Sequence, residues 1–515
     1  MTATVARAIE RRRFLGISAG ALAAAAGCRS GPAASARRST LIIATYGERN
    51  LVGIDGDDVK NLLFQPLLTL NDDWELEGRL AERWESSPDG RDWTIHLRHD
   101  IRWHDGAPVT AHDVQFTLEL LANPDADEEL GRHDIDSITV LDEVTVRVRF
   151  ASWRASQSAL DGYEIILPKH RLAGLDPKQY ARWDFWTHPV GNGPYRFARY
   201  VPHTMMQLDA SPDYYRDKPR FEHVVLKFVQ GDAMTELLSG NVDVLPNADP
   251  GRSPADGSWR RYSGFYGHQV SAIAWNNVHP ILRDPGVRRA LTLAINRREL
   301  TRLLNLPDVI PILDGPFTRR MVRRGKIPDP LPYDPDQAEA LFDAAGWRRG
   351  AGRGARARDG QPFQFTLLVM GERGFSQAAV YVQEALRHVG VEMEVQGMDN
   401  GVVRQRFRDG QFDAVLMVVA AGAWRTLLGA HSPLGYRNAR VAQLLERVPM
   451  VSDAEEEDEI DVEVTRILRT EVPVTVLFPR VTTTLASRRV HGLSSPWRVN
   501  PIWSIEDLSL DDGRH

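Results

Sequence analysis

The sequence predicts an α/β protein of two lobes with an additional smaller α+β subdomain. Strand-like and helix-like patterns alternate in two separate stretches, residues 221–245 and 334–419, and successive β-α-β elements imply an α/β sheet. Residues 246–264, between them, are rich in Pro, Gly, Asp and Ser, which marks a crossing from one lobe to the other. At 515 residues, 43% hydrophobic and 26% charged, the chain exceeds one ordinary domain and supplies a sizeable core. A net charge of -6 argues against a nucleic-acid partner.

At the start, Arg11-Arg12-Arg13-Phe14-Leu15 leads into an apolar run that ends in Ala25-Ala26-Gly27-Cys28. A charged region, a short apolar segment and small residues before a cut site describe a secretory signal over residues 1–28. The run is too short to span a bilayer as a mature helix. The twin arginine followed by x-Phe-Leu resembles a Tat export signal, and the small residues before Cys28 resemble a lipobox, from which Ala25 departs because that pattern prefers Leu or Val there. Cys28 is the one cysteine of the chain, so no intrachain disulfide forms, and lipid attachment is the economical use of a thiol at that place. The expected product is a body held at the outer face of the cytoplasmic membrane by a lipid anchor. Gly16-Ile17-Ser18-Ala19-Gly20 matches a G-x-S-x-G nucleophile pattern but lies inside the signal. Residues 29–40, rich in Gly, Pro, Ala, Ser and Arg, read as a flexible tether.

Structure is expected from Leu41, where Leu41-Ile42-Ile43-Ala44-Thr45 suits a first buried strand and a Gly/Asp-rich loop follows. Loops at strand ends often carry ligand contacts, which makes Tyr46 and Glu48 candidates. Behind the turn Ser87-Pro88-Asp89-Gly90, Trp93, Ile95 and Leu97 alternate with polar residues as a half-buried strand. A second turn falls at His104-Asp105-Gly106. Thr110 and Asp113 then form a Thr-x-x-acid cap, with Val114, Leu118 and Leu121 on one helical face. His96, His99, His104 and His112 lack the spacing of structural zinc sites, so no metal is expected.

Residues 138–150 read as a hairpin turning at Asp142-Glu143, with Val144, Val146, Val148 and Phe150 on one face. Tyr163, in the aromatic and polar stretch that follows, is another candidate contact. Pro189-Val190-Gly191-Asn192-Gly193-Pro194-Tyr195 opens directly into a strand, and without a Lys-Ser/Thr pair or a following helix it makes no phosphate loop. Beyond the crossing, Ile273-Ala274-Trp275-Asn276-Asn277 is an apolar strand ending in amides. Asp284-Pro285 caps a helix through Val287, Leu291 and Ala294, and Asn296 caps another through Leu300, Leu303 and Leu304. Arg288 and Arg289 read as helix surface. Residues 348–360, basic and glycine-rich, read as a flexible surface insertion.

The ordered series LAERWE, DGRDWTIHLR, WHDGAPVTAHDV and FT, with PVGNGPY, the Leu-x-Ser-Gly-x-Val-Asp of residues 237–243, residues 275–297 and the Tyr333-Asp334-Pro335 helix, closely resembles the family 5 extracellular solute-binding proteins. These deliver peptides, nickel and related ligands to ABC importers. The resemblance covers most of the chain after Leu62. It implies a two-lobed fold like the type II periplasmic binding proteins, with a ligand held in the interlobe cleft by hinge closure and handed to permease subunits. The expected division is lobe I at 41–66, 187–265 and 482–515, the extra subdomain at 67–186, and lobe II at 266–481. Candidate ligand contacts are Tyr46, Glu48, Tyr163, Trp275, Asn276, Trp424 and Arg425. No cofactor, metal or catalytic residue is expected, because the body holds no Ser-His-acid pattern and no metal-ligand spacing.

One departure bears on specificity. Peptide binders of the family place an acidic residue soon after the F/Y-D strand, where it meets the peptide's amino terminus. Here Phe412-Asp413 is followed by no Asp or Glu before Glu446. The expectation is a preference for ligands without a free amine, with Trp424 available for stacking and Arg425 for an anion. A non-peptide solute (an anion, metal chelate or sugar) is the alternative, and an exported hydrolase a more remote one.

Overall fold

The computed structural model describes residues 39–511, apart from 46–56, 72–74, 127–133, 161–163, 249–258, 309, 318, 351–353, 372–373, 421, 452 and 494–504. The expected signal, Cys28 and nearly all of the tether therefore lie outside the described residues, as do Tyr46, Glu48 and Tyr163.

Fourteen strands build the frame: Thr40–Thr45 (β1), Ala81–Ser86 (β2), Asp92–Leu97 (β3), Ile135–Asp142 (β4), Thr145–Phe150 (β5), Tyr195–Val201 (β6), Met205–Ala210 (β7), His223–Phe228 (β8), Val244–Leu245 (β9), Trp259–Trp275 (β10), Gln364–Val369 (β11), Glu392–Gly397 (β12), Ala414–Val419 (β13) and Val474–Ser487 (β14). Ten of them form one sheet in the order β12-β11-β13-β10-β14-β9-β1-β8-β7-β6, while β2-β3-β5-β4 make a separate antiparallel sheet. The large sheet has two parallel patches. One is β12, β11 and β13; the other is β8, β1 and β9. The long antiparallel pair β10 and β14 joins them.

The crossing thus differs from the sequence expectation, which left 246–264 irregular. Trp259 to Gly264 already belong to β10 and pair with Ser487 to Thr482 on a strand far downstream. Such pairing is invisible to local composition, because a strand is stabilised by neighbours that the chain brings in from elsewhere. Midway, the register jumps from Phe265 opposite Val481 to Val270 opposite Pro479. Pro479 has no N–H to give to the ladder, so the two strands separate into two paired halves at this point.

Packing divides at the same place. One large group of buried apolar residues runs from Val270 to Phe478, and the other takes residues from Leu41 to Val244 together with Ala486 to Leu508. The extra subdomain has no core of its own: Trp93, Ile95, Leu118, Val146 and Val148 belong to the group that contains Leu41, Ile43 and Leu226.

Local signals fold as their chemistry dictates. The helix Ala111–Ala122 (α1) carries its capping box, with the Thr110 N–H donating to Asp113 Oδ2 at 2.8 Å, and buries Val114, Leu118 and Leu121. Asp284 accepts from the Gly286 N–H to cap Pro285–Leu293 (α2), and Asn296 caps Arg297–Leu303 (α3). On α3, however, Leu304 is buried while Leu303 stays 59% exposed.

Two arginines are placed otherwise than the sequence suggests. Arg288 is buried rather than on the helix surface, donating to the carbonyls of Leu282 at 2.7 Å and Val472 at 2.8 Å. Both oxygens lie where the chain turns, and burial pulls the guanidinium pKa down to about 10. Arg356, inside the supposed surface insertion, is also buried. It donates to Trp347 O at 2.6 Å, Val389 O at 2.7 Å and Asp343 Oδ1 at 2.7 Å, pinning a small three-stranded sheet to the second lobe.

Candidate functional site

Strand polarity points to a candidate site. Ile43 of β1 lies beside Val244, and Val244 beside Ala486 of β14, so the carboxyl end of β1 points towards the interruption at Pro479. Val419, the last residue of β13, lies opposite Val270, which in turn faces Pro479, so β13 ends at the interruption from the other side. The carboxyl ends of both parallel patches therefore face one another across the hinge strands. In open α/β sheets this is where ligands bind, because the loops leaving those ends converge there.

The chain leaves β1 at Thr45. Among the described residues its buried hydroxyl has no hydrogen-bond partner, and the residue is only 9% exposed. A buried hydroxyl at the end of a sheet strand that lacks a partner is a candidate to meet an acceptor or donor. In the sequence Thr45 merely ends an apolar run, and its place at the end of that strand is the one signal that marks it.

After β13 comes the short helix Ala423–Leu428, where Trp424 and Arg425 part company. Trp424 is buried in the second-lobe core, so it packs and is not presented for stacking. Arg425 is exposed, and among the described residues its side chain has no partner. Trp275 and Asn276 are not brought to the cleft. Trp275 pairs with Ala414 at the opposite end of β13, fully buried, its indole donating to Thr475 Oγ1 at 2.8 Å and its ring edge-on to Phe365. Asn276 Nδ2 donates to Phe412 O at 2.7 Å, while its Oδ1 accepts from the Val278 N–H at 3.1 Å. Both residues hold the second lobe together. Asp413, which opens the same strand, accepts from the Thr366 N–H and lies 3.6 Å from His279.

The two glycine-bearing motifs are locked to one another. His104 Nδ1 accepts from the Gly191 N–H at 3.2 Å, and its Nε2 donates to Gly193 O at 3.0 Å. Both ring nitrogens are thus committed to the neutral form, and burial pulls the imidazole pKa down to about 4. Asn192 and Gly193 both donate to Leu63 O, at 2.9 and 2.8 Å, and Asn192 Oδ1 accepts from the Gln65 N–H at 2.8 Å. A Cβ on Gly191 would fall 1.8 Å from Leu63 O. The glycines serve the close approach of two backbones. Among the described residues no cluster of three or more His, Cys, Asp or Glu has a metal-holding arrangement.

With this geometry in place, similarity to known proteins becomes informative. The model of the bacterial extracellular solute-binding proteins, family 5 Middle, matches residues 75–433. The chain belongs to this family. A putative ABC transporter peptide-binding protein of Brucella ovis is 31% identical over 294 residues, 55% of each chain, so the solute-binding chain described here spans about half the length of that relative. The oligopeptide-binding protein AppA of Bacillus subtilis is 25% identical over 73% of both. Among solved structures, NikA from Brucella suis in complex with Fe(III)-EDTA superposes with a TM-score of 0.75 at 19% identity, covering 92% of this chain and all of that one. The two-lobed α/β fold of the family 5 solute-binding proteins is thus this chain's fold.

Proposed function

We propose that this protein is the extracytoplasmic substrate-binding component of an ABC transporter, which captures a peptide or peptide-like solute between its lobes and delivers it to permease subunits. One observation carries the reading: among the described residues only the strands β10 and β14 run between the two sheet halves, their register is interrupted at Pro479, and the carboxyl ends of both parallel patches meet there. A pair of strands with a broken ladder bends readily, so the lobes close on a solute by hinge motion. Lobe I comprises 41–66, 187–265 and 482–515, lobe II comprises 266–481, and residues 67–186 extend lobe I. Relatives named for peptide and nickel binding support transport as the role, with no catalysis by the chain itself.

Thr45 and Arg425 are the contacts proposed among the described residues, and Tyr46, Glu48 and Tyr163, which lie outside them, are proposed from the sequence alone. Among the described residues no helix is long and apolar enough to cross a membrane, and a lipid on Cys28 supplies the attachment. A second reading, a non-peptide anion as solute, is favoured by the unpartnered Arg425 and by the absence of carboxylates between Asp413 and Glu446. Native mass spectrometry of protein purified from its own host tests both readings. A retained peptide mass supports the first, a small anionic mass the second. Reproducible purification with no bound solute, together with no stabilisation by any member of a peptide and anion panel, refutes both.

A further inference from the structure

Away from the hinge strands the lobes also meet where the helix Trp153–Leu160, in the extra subdomain, touches the single 3-10 turn Val448–Met450 of lobe II. Side chains along that helix divide between the two cores. Ala159 and Leu160 are buried in the first-lobe group, and Ala155 packs on it. Trp153, on the first turn, packs instead on the second-lobe group, as Val448 does.

The tryptophan is held from its own side by a rigid mount. Gly90, at φ +63°, lies so close that a Cβ there would come within 2.3 Å of Trp153 Cδ1. The Gly90 carbonyl accepts from Trp93 Nε1 at 2.8 Å and from Ser156 Oγ at 2.9 Å, which ties the β2–β3 turn to the helix. Ser156 Oγ also lies 2.7 Å from the carbonyl of Trp153. The subdomain therefore presents one large aromatic across the seam, with its backbone fixed from behind. At that seam Met450 remains 72% exposed.

We propose that Trp153 is the latch residue of the binding cycle: it holds the extra subdomain against the apolar group of lobe II on which Val448 also packs, and so sets the population of the closed form. The proposal rests on the cleft reading above. An aromatic side chain is suited to the task because it carries a large apolar area on few rotatable bonds, so little entropy is lost when the seam forms. Loss of the contact shifts the closed-to-open ratio by about tenfold and weakens solute binding by up to the same factor, mainly through faster release.

Small-angle scattering of the solute-free protein tests this, with wild type, W153A, V448A and the double variant compared. A compact chain of this size has a radius of gyration of about 23 Å. Each single variant is expected to exceed wild type, and the double variant to match the larger single, because both substitutions loosen the same packed seam. Unchanged scattering with a lowered melting temperature assigns Trp153 to packing alone and overturns the proposal. Expansion in the double variant equal to the sum of the singles overturns it too, since it puts the residues in separate contacts. V448A keeps the test open if W153A does not fold. No solute is used, so failure here is distinct from failure to find one.

Discussion

At the residue scale, exposure and partnership separate Arg425, the proposed solute contact, from the buried groups that hold the fold. Arg425 is exposed and its side chain unpartnered among the described residues, so Arg425→Ala is expected to leave unfolding within about 0.5 kcal/mol of wild type. The same change should weaken an anionic or N-blocked solute by about tenfold or more, the value of a charge-assisted hydrogen bond. Calorimetry with matched free and N-acetylated peptides reads both points, and binding confined to the free form would restore ordinary peptide recognition. His104 gives a pH signature. Its folded pKa, about 4, lies below its ordinary value of 6.5, so the unfolded chain binds the proton more readily. The stabilisation is fully present above pH 6.5 and is lost as pH falls towards 4, on the order of 3 kcal/mol across the window. Urea unfolding at pH 7.5 and 5 should show a smaller difference for His104→Gln than for wild type. The burial of Arg288, Arg356 and His104 was not legible from sequence, because it depends on the carbonyls of Val472, Val389 and Gly193, far away in the chain. The sequence does show that no Asp or Glu stands between Asp413 and Glu446 around Arg425, which is what makes it a proposed contact.

At the element scale, the local signals were the dependable ones. The Thr110–Asp113 cap, the Gly90 turn and the Asp284 cap are written within a few residues, and each folds as written. Trp275 and Asn276 misled because an apolar strand ending in amides looks the same whether the amides face a cleft or a neighbouring strand. The strand direction relative to β13 decides it, and that is a long-range fact. The Pro189–Tyr195 loop was found by its composition but explained only by its contacts with Leu63 and His104. Gly191→Ala is therefore expected to destabilise by several kcal/mol, since no relaxation of one side chain clears a backbone oxygen 1.8 Å away. Gly174→Ala, at φ +93° with nothing within 4 Å, should cost only the backbone strain of about 1–2 kcal/mol. Equal losses in the two variants by thermal unfolding would refute the close-approach reading.

At the scale of the whole molecule, one anchor and one hinge organise the proposed cycle. Cys28→Ser should release the body from membranes without altering its melting temperature. Fractionation identical to wild type, with no acyl mass on the wild-type protein, would remove the anchor. A solute held at a hundred times its Kd should raise the unfolding free energy by about 2.7 kcal/mol. The two-lobed plan was legible because the α/β alternation occurs twice, whereas the broken ladder at Pro479 was not, since its partner strand lies far upstream. That placement has a consequence for how the chain is made. β14 sits between β9 and β10, both of which leave the ribosome long before it. Until Val474–Ser487 has been synthesised, β9 and β10 expose facing edges with no partner, and the sheet lacks its middle strand. Neither lobe completes its fold on the growing chain, so folding waits on a late segment, and in that interval the nascent protein needs protection from pairing with its own kind.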